Sequence, residues 1–335
     1  MRHYLLLIAC CLALGGTVGC GSPDSSTQAA TEEVAEKAKP ALPANDYHSR
    51  RFLLEVEDVQ RMMNEGVDLV IIEITKEEEY AKGHLPGARH VWRPEYANTS
   101  DFTYGGMMGT PEQLEALLGR LGATNESFLL LYDAKGKVDA ARLQWILHEY
   151  GYYRTGLLNG GKQGWVAAGQ ALTTDIPEVI ATEFVFPAES KPAARKVHME
   201  DVLLALEDSN VVLVDTRTTE EYTGQMLKNG AAKAGRIPGA IHLDWANAVN
   251  YDADFRFKSV EQLRKMYEAA GITPDKKIIA YCHSGVRSAH TTYVLTELLG
   301  YPEVYNYDGS WTEWSHHDHL PFEVDPSLNR TPALN

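Results

Sequence analysis

The residues best suited to chemistry are Tyr281-Cys282-His283-Ser284-Gly285-Val286-Arg287-Ser288. An apolar run from Lys277 to Tyr281 precedes them and a helical period from Ser288 to Leu299 follows, so they form a strand-to-helix loop. Such a loop curls its backbone N–H groups inward above a helix N-terminus and makes a nest for an anion. A sulfur at its first position is biased towards the thiolate, because amide donors, helix dipole and Arg287 all favour the charged form. Gly285 permits the tight turn, having no Cβ to clash at positive φ. Cys282 on its own also fits a small buried hydrophobe at a strand end, and the loop leaves both readings open.

The elements that must position this loop read as α/β. Asp68–Glu73, Phe128–Tyr132 and Val211–Asp215 are further continuous apolar runs, as buried parallel strands require. Helical periods follow the later strand of each half: Leu143, Ile146, Leu147 and Tyr150 in one, Tyr293, Val294 and Leu298 in the other. Alternating strands and helices predict mostly parallel sheets with helices on both faces, where ligands bind at the carboxyl ends of strands. Two such units are present, because landmarks recur in one order. Gly83-His84-Leu85-Pro86-Gly87-Ala88 returns as Gly235-Arg236-Ile237-Pro238-Gly239-Ala240. Leu130 to Asp133 returns as Ile279 to Cys282, and Asn159-Gly160 with Trp165 as Asp308-Gly309 with Trp314.

Tyr4 to Val18 is apolar but too short to span a bilayer, and reads as the core of a signal peptide, residues 1–19. Thr17-Val18-Gly19-Cys20 resembles a bacterial lipobox, which makes Cys20 the lipidated N-terminus; simple cleavage without lipid is the alternative. The mature protein is then expected on the periplasmic side of a membrane, anchored by lipid. Gly21 follows where an Asp would mark inner-membrane retention, which favours the outer membrane. Residues 20–46 are Ser, Thr, Ala, Glu and Pro, a disordered tether. The first domain is expected over 47–172, a Pro-containing linker over 173–196, the second domain over 197–325 and a tail over 326–335. Of four cysteines, Cys10 and Cys11 leave with the signal, so Cys282 is a lone thiol in an oxidising compartment. A formal charge of −15 argues against nucleic acid as a partner.

The two Gly-x-x-Pro-Gly-Ala elements, Asp215-Thr216-Arg217, the Cys282 loop and Tyr307-Asp308-Gly309-Ser310-Trp311-Thr312-Glu313-Trp314 together resemble the tandem-domain rhodanese sulfurtransferases. That resemblance covers about Arg51 to Glu323 and implies two rhodanese-like domains. It makes Cys282 the nucleophile and the first half, with Asp133 in its place, a non-catalytic partner. It implies that Arg217 holds the sulfonate of thiosulfate while Arg287 supports the loop. It likewise implies that His283, Ser284, Gly285 and Val286 line the substrate. A structural pair of Arg217 with Asp215 or Glu221 is the other reading of that arginine. Cys-x4-Arg is the loop length of sulfur transfer in this family; related phosphatases carry Cys-x5-Arg. The implied reaction carries sulfur from thiosulfate to cyanide or a thiol through a Cys282 persulfide, without cofactor or metal; a monomer is expected. Ser284 matches the mercaptopyruvate-using relatives, which keeps 3-mercaptopyruvate as the alternative donor, beside a persulfide carrier or redox-sensing module without fast turnover.

Three weaker signals remain. His316, His317 and His319 around Asp318 are a possible metal cluster or solvated surface. Asp101 to Met108 is either an apolar wall at the domain interface or an ordinary loop. His84 is assigned a structural role.

Overall fold

The computed structural model describes residues 46–98 and 100–325. The expected signal peptide, Cys20 and the tail 326–335 lie outside them. The first half carries β1 (Leu53–Leu54), α1 (Val56–Asn64), β2 (Leu69–Ile74), α2 (Glu77–Tyr80), β3 (Arg89–Val91), α3 (Pro111–Arg120), β4 (Phe128–Tyr132), α4 (Val138–Glu149), β5 (Thr155–Leu158) and α5 (Gly161–Ala167). The second repeats the order with β6 (Lys196–Val197), α6 (Met199–Ala205), β7 (Val211–Asp215), α7 (Thr219–Thr223), β8 (Ile241–His242), α8 (Val260–Ala269), β9 (Lys277–Tyr281), α9 (Val286–Tyr293), β10 (Val304–Tyr307) and α10 (Ser310–His316).

Each half forms a five-stranded, wholly parallel sheet, ordered β1-β5-β4-β2-β3 and β6-β10-β9-β7-β8. The strands are apolar on consecutive residues because both faces are covered. Leu129 and Leu131 of β4 join one core, Leu130 and Tyr132 another. Likewise Ile278 of β9 faces one way and Ile279 and Tyr281 the other. The largest core runs through both halves. It joins Ala140, Leu143 and Ile146 of α4 to Ala289 and Tyr293 of α9, and these two helices pack on each other.

α4 departs from a simple amphipathic reading. Its polar residues Asp139, Arg142 and Gln144 are as buried as its leucines, because the second half covers the face that solvent would otherwise take. α9 starts at Val286, capped by Gly285 in the left-handed conformation at φ 73°, and continues into a π-helical turn, Val294–Leu298. The segment between the halves is tied down rather than loose. Thr173 pairs with His84, Thr182 N–H donates to Gly119 O, and Phe184 is buried against Tyr152.

Candidate active site

β9 lies between β7 and β10, and Cys282 follows its last residue, so the loop opens at the carboxyl end of a central strand. The turn from β10 into α10 is the mould against which the loop is cast. Ser310 Oγ accepts from Cys282 N at 3.1 Å and Gly285 N at 3.0 Å, and donates to Tyr307 O at 2.7 Å. Ser310 adopts φ +52°, a cost met by those three bonds. Trp311 N donates to Cys282 O, and both the N–H and the hydroxyl of Thr312 donate to His283 O. With carbonyls held outward, the N–H groups of Ser284 and Ser288 are left to donate to the Cys282 sulfur, joined by the Ser288 hydroxyl at 3.5 Å. A Cβ at Gly285 would lie 2.7 Å from Arg142 Nη1 and 2.8 Å from Asp308 O, so glycine is required for space as well as for φ.

Cys282 is fully buried, which by itself raises a thiol pKa. Arg287, the Ser288 hydroxyl and the two amides outweigh burial and bring it down to about 7. Arg287 is aimed by a two-point pair with Glu221, Nη1–Oε2 2.5 Å and Nη2–Oε1 2.8 Å. Glu221 sits on α7 in a capping box with Thr218. Burial opposes its ionisation, but Arg287 and Lys228 hold the carboxyl at about 2. The charge of a Cys282 thiolate also reaches Lys228 and Arg93, the latter from the first half, where it pairs with Asp139. A single buried anion thus sits among three cations.

The residues expected at the site divide as follows. Cys282, Arg287 and Gly285 converge as described, and Val286 begins α9 with its side chain buried. His283 Nε2 lies 3.0 Å from Asn229 O while its buried Nδ1 has no partner. Burial and Lys228 push its pKa down to about 4, so the ring is neutral. Ser284 is pressed by the first half: a Cβ on Gly106 would collide with Ser284 Cβ. The 101–108 segment therefore forms a wall over the loop, with Tyr104 Oη donating to Glu313 at 2.7 Å and Met108 N to Asp308 Oδ2 at 3.1 Å.

Arg217 corrects the expectation that it holds the sulfonate. It is 2% exposed, its Nε and Nη2 bind Asp215, and Nη2 also donates to Gly235 O at 2.7 Å. Tyr281 Oη donates to Asp215 at 2.8 Å and accepts from Ile237 N at 3.2 Å. The first half builds the same cluster from other letters. Tyr132 Oη donates to Glu73 at 2.7 Å and accepts from Leu85 N, while Lys162 pairs with Glu73 at 2.5 Å. A half with no nucleophile has no sulfonate to hold, so the shared cluster ties strand ends to the Gly-x-x-Pro-Gly turn.

Asp133 shows what the loop geometry prefers. Its carboxylate accepts from the N–H groups of Lys135, Lys137, Asp139 and Ala140, filling the first half's own cradle with an anion. His84 stacks on Tyr80 at 3.8 Å with both ring nitrogens on carbonyls, a packing role. His316 Nδ1 lies 2.7 Å from Thr312 O, and among the described residues no metal-binding group of three is assembled. Sequence reading overlooked Arg142, Asn306, Lys228 and Arg93, whose relation to the loop has no local pattern.

An internally duplicated parallel α/β protein with one cradle holding its own carboxylate and the other a thiolate-biased cysteine is built for anionic sulfur chemistry. Both halves match the rhodanese-like domain, over residues 55–168 and 198–317, and the chain belongs to that family. It is 38% identical over 247 residues to the sulfur carrier protein TtuD of Thermus thermophilus, covering 70% of this chain and 83% of that one. It is 34% identical to a thiosulfate sulfurtransferase of Pseudomonas aeruginosa, covering 77% and 92%. Among solved structures, EanB carrying a cysteine persulfide, in a tetrahedral intermediate state with ergothioneine, matches with TM-score 0.72 at 25% identity, covering 85% of this chain and 73% of that one.

Proposed function

We propose that this rhodanese is a thiosulfate sulfurtransferase working by double displacement through Cys282. The carrying observation is a buried cysteine held at a pKa of about 7 at the head of a six-residue loop, with the Ser284 and Ser288 amides on its sulfur. The Cys282 thiolate attacks the outer sulfur of thiosulfate; the S–S bond breaks and sulfite departs with its electron pair. The resulting persulfide carries its charge on the terminal sulfur, in the field of Arg287 and the loop donors. Cyanide or a thiolate then attacks that sulfur, forming thiocyanate or a new persulfide and returning the Cys282 thiolate. Lys228 and Arg93, rather than Arg217, are the cations in reach of an arriving dianion. The thiosulfate sulfurtransferase among the relatives supports this donor. A carrier role is the second reading, favoured by the complete burial of Cys282 and by the kinship to a sulfur carrier protein.

Thiocyanate formation from cyanide is the test, run with thiosulfate and with 3-mercaptopyruvate. Turnover is expected with thiosulfate at a kcat/KM about tenfold or more above that with 3-mercaptopyruvate, a discrimination of about 1.4 kcal/mol. The reverse preference would give Ser284 the donor-selecting role. A protein that loads one sulfur and never turns over would be a carrier.

We further place the protein outside the cytoplasm as a monomer, lipidated on Cys20 and held on the periplasmic side of the outer membrane. The apolar stretch 4–18, the small residues before Cys20 and the tether composition support the export and the anchor. Full-length protein is expected to take up radiolabelled fatty acid and sediment with membranes as a monomer. A Cys20→Ala variant that still sediments would refute the anchor.

A further inference from the structure

We infer that Arg142, contributed by the non-catalytic first half, is a positioning residue that sets the catalytic loop of the second. This rests on reading Cys282 as the nucleophile. Arg142 lies on α4 with its side chain 1% exposed. Its Nη1 donates to Gly285 O at 3.3 Å, and its Nη2 to Asp308 Oδ1 at 2.5 Å and Gly106 O at 3.0 Å. The guanidinium lies 4.9 Å from the Trp145 ring centroid. One planar group therefore joins three pieces of backbone and side chain that must agree: the catalytic loop, the turn that moulds it, and the wall segment over Ser284.

The Gly285 carbonyl is the consequential contact. Glycine at φ 73° has little steric resistance to a flip of the following peptide. A flipped carbonyl would turn an oxygen towards the cradle and cancel the field that favours a thiolate or persulfide there. Among the described residues three donors hold that oxygen outward: Ala289 N at 3.2 Å, the first bond of α9, and two side chains, Asn306 Nδ2 at 3.2 Å and Arg142 Nη1. Asp308 is the second lever, because it stands two residues before Ser310, whose hydroxyl binds Cys282 N and Gly285 N. Its buried carboxylate is held on one oxygen by Arg142 and on the other by Met108 N, so both anchors of the mould come from the first half.

The arrangement is reciprocal, as a duplicated fold requires. Tyr251 Oη of the second half donates to Lys135 O, Phe257 N donates to Asn159 Oδ1, and Lys137 Nζ donates to Phe255 O. Each half grips the other's loop, but only one loop carries a sulfur. The first half is thus retained as a loop clamp for its partner.

The test uses the full chain with Arg142→Met, Arg142→Lys and the charge-balanced pair Arg142→Met with Asp308→Asn. Readouts are the pH midpoint of Cys282 alkylation by iodoacetamide, kcat/KM for thiosulfate, and Tm. The wild-type midpoint is expected near the thiol pKa of about 7. In the balanced pair it should rise by about one pH unit and kcat/KM should fall by about tenfold or more, the scale of a misplaced catalytic group. Arg142→Lys keeps the charge facing Asp308 but replaces the planar fork by a point charge, and should fall between. It decides the matter if the other variants fail to fold. A lowered Tm with an unmoved midpoint and unmoved kcat/KM in folded protein would make Arg142 a structural strut and overturn the inference. The alkylation midpoint needs no turnover, so it tests the clamp even if thiosulfate is not the donor.

Discussion

Cys282→Ser is expected to reduce thiocyanate formation to the uncatalysed background with thiosulfate and with 3-mercaptopyruvate alike. A serine hydroxyl is not ionised near pH 7 and forms no persulfide, so both displacement steps are lost rather than slowed, a loss of about 10⁴-fold or more. Stability should change little. The serine fits the space of the thiol, and the Ser284 and Ser288 amides that face the sulfur supply donors for a buried oxygen. Cys282 is the free cysteine of the described fold, so residual turnover in the folded variant would place sulfur transfer elsewhere. The assay should include circular dichroism to show that the loss is chemical.

Arg287→Met is expected to have the next largest effect, through two separable routes. Without Arg287, burial again dominates Cys282 and its pKa rises to the ordinary thiol value of about 8.5 or beyond. The thiolate fraction at pH 7 then drops from about a half to about 3%, roughly fifteenfold. The persulfide also loses the positive charge that acts most strongly on the sulfur, so the total fall in kcat/KM should reach about 10²–10³-fold. The rate should climb with pH in the variant where the wild type has levelled off. The second route is stability. Glu221 would keep a buried charge with Lys228 at 3.8 Å as its remaining ion pair, so part of the about 3–5 kcal/mol typical of a broken buried pair should be lost. In the wild type this carboxyl, held at about 2, stabilises the fold above its unfolded pKa, and the contribution fades as pH falls from about 4 towards 2. An unshifted alkylation midpoint in Arg287→Met would show that the loop amides alone create the thiolate.

Much of the site was legible because it is contiguous. The strand into Cys282, the glycine at Gly285 and the arginine at Arg287 occupy one stretch of chain, and local geometry turns that stretch into a cradle. Arg217 was misread for a physical reason. A guanidinium two residues from an aspartate fits both an anion ligand and a buried strut, and only the matching Glu73–Tyr132–Lys162 cluster decides between them. The 101–108 segment was legible as a possible wall but not as a lid pressed on Ser284, because that contact joins two domains.

The sequence alone determined the duplication, the parallel α/β architecture, and which half keeps a nucleophile, since Asp133 and Cys282 occupy the same point of the repeat. These follow from hydrophobic period and residue type, which act over a few turns of chain. The tertiary structure alone decided that α4 is buried on every side, that Arg142 reaches Gly285, and that Arg93 and Lys228 feel the thiolate. Such relations depend on how the two sheets and their helices pack on each other. Burial of a polar side chain is set by the surface that arrives opposite it, and that surface is written more than a hundred residues away.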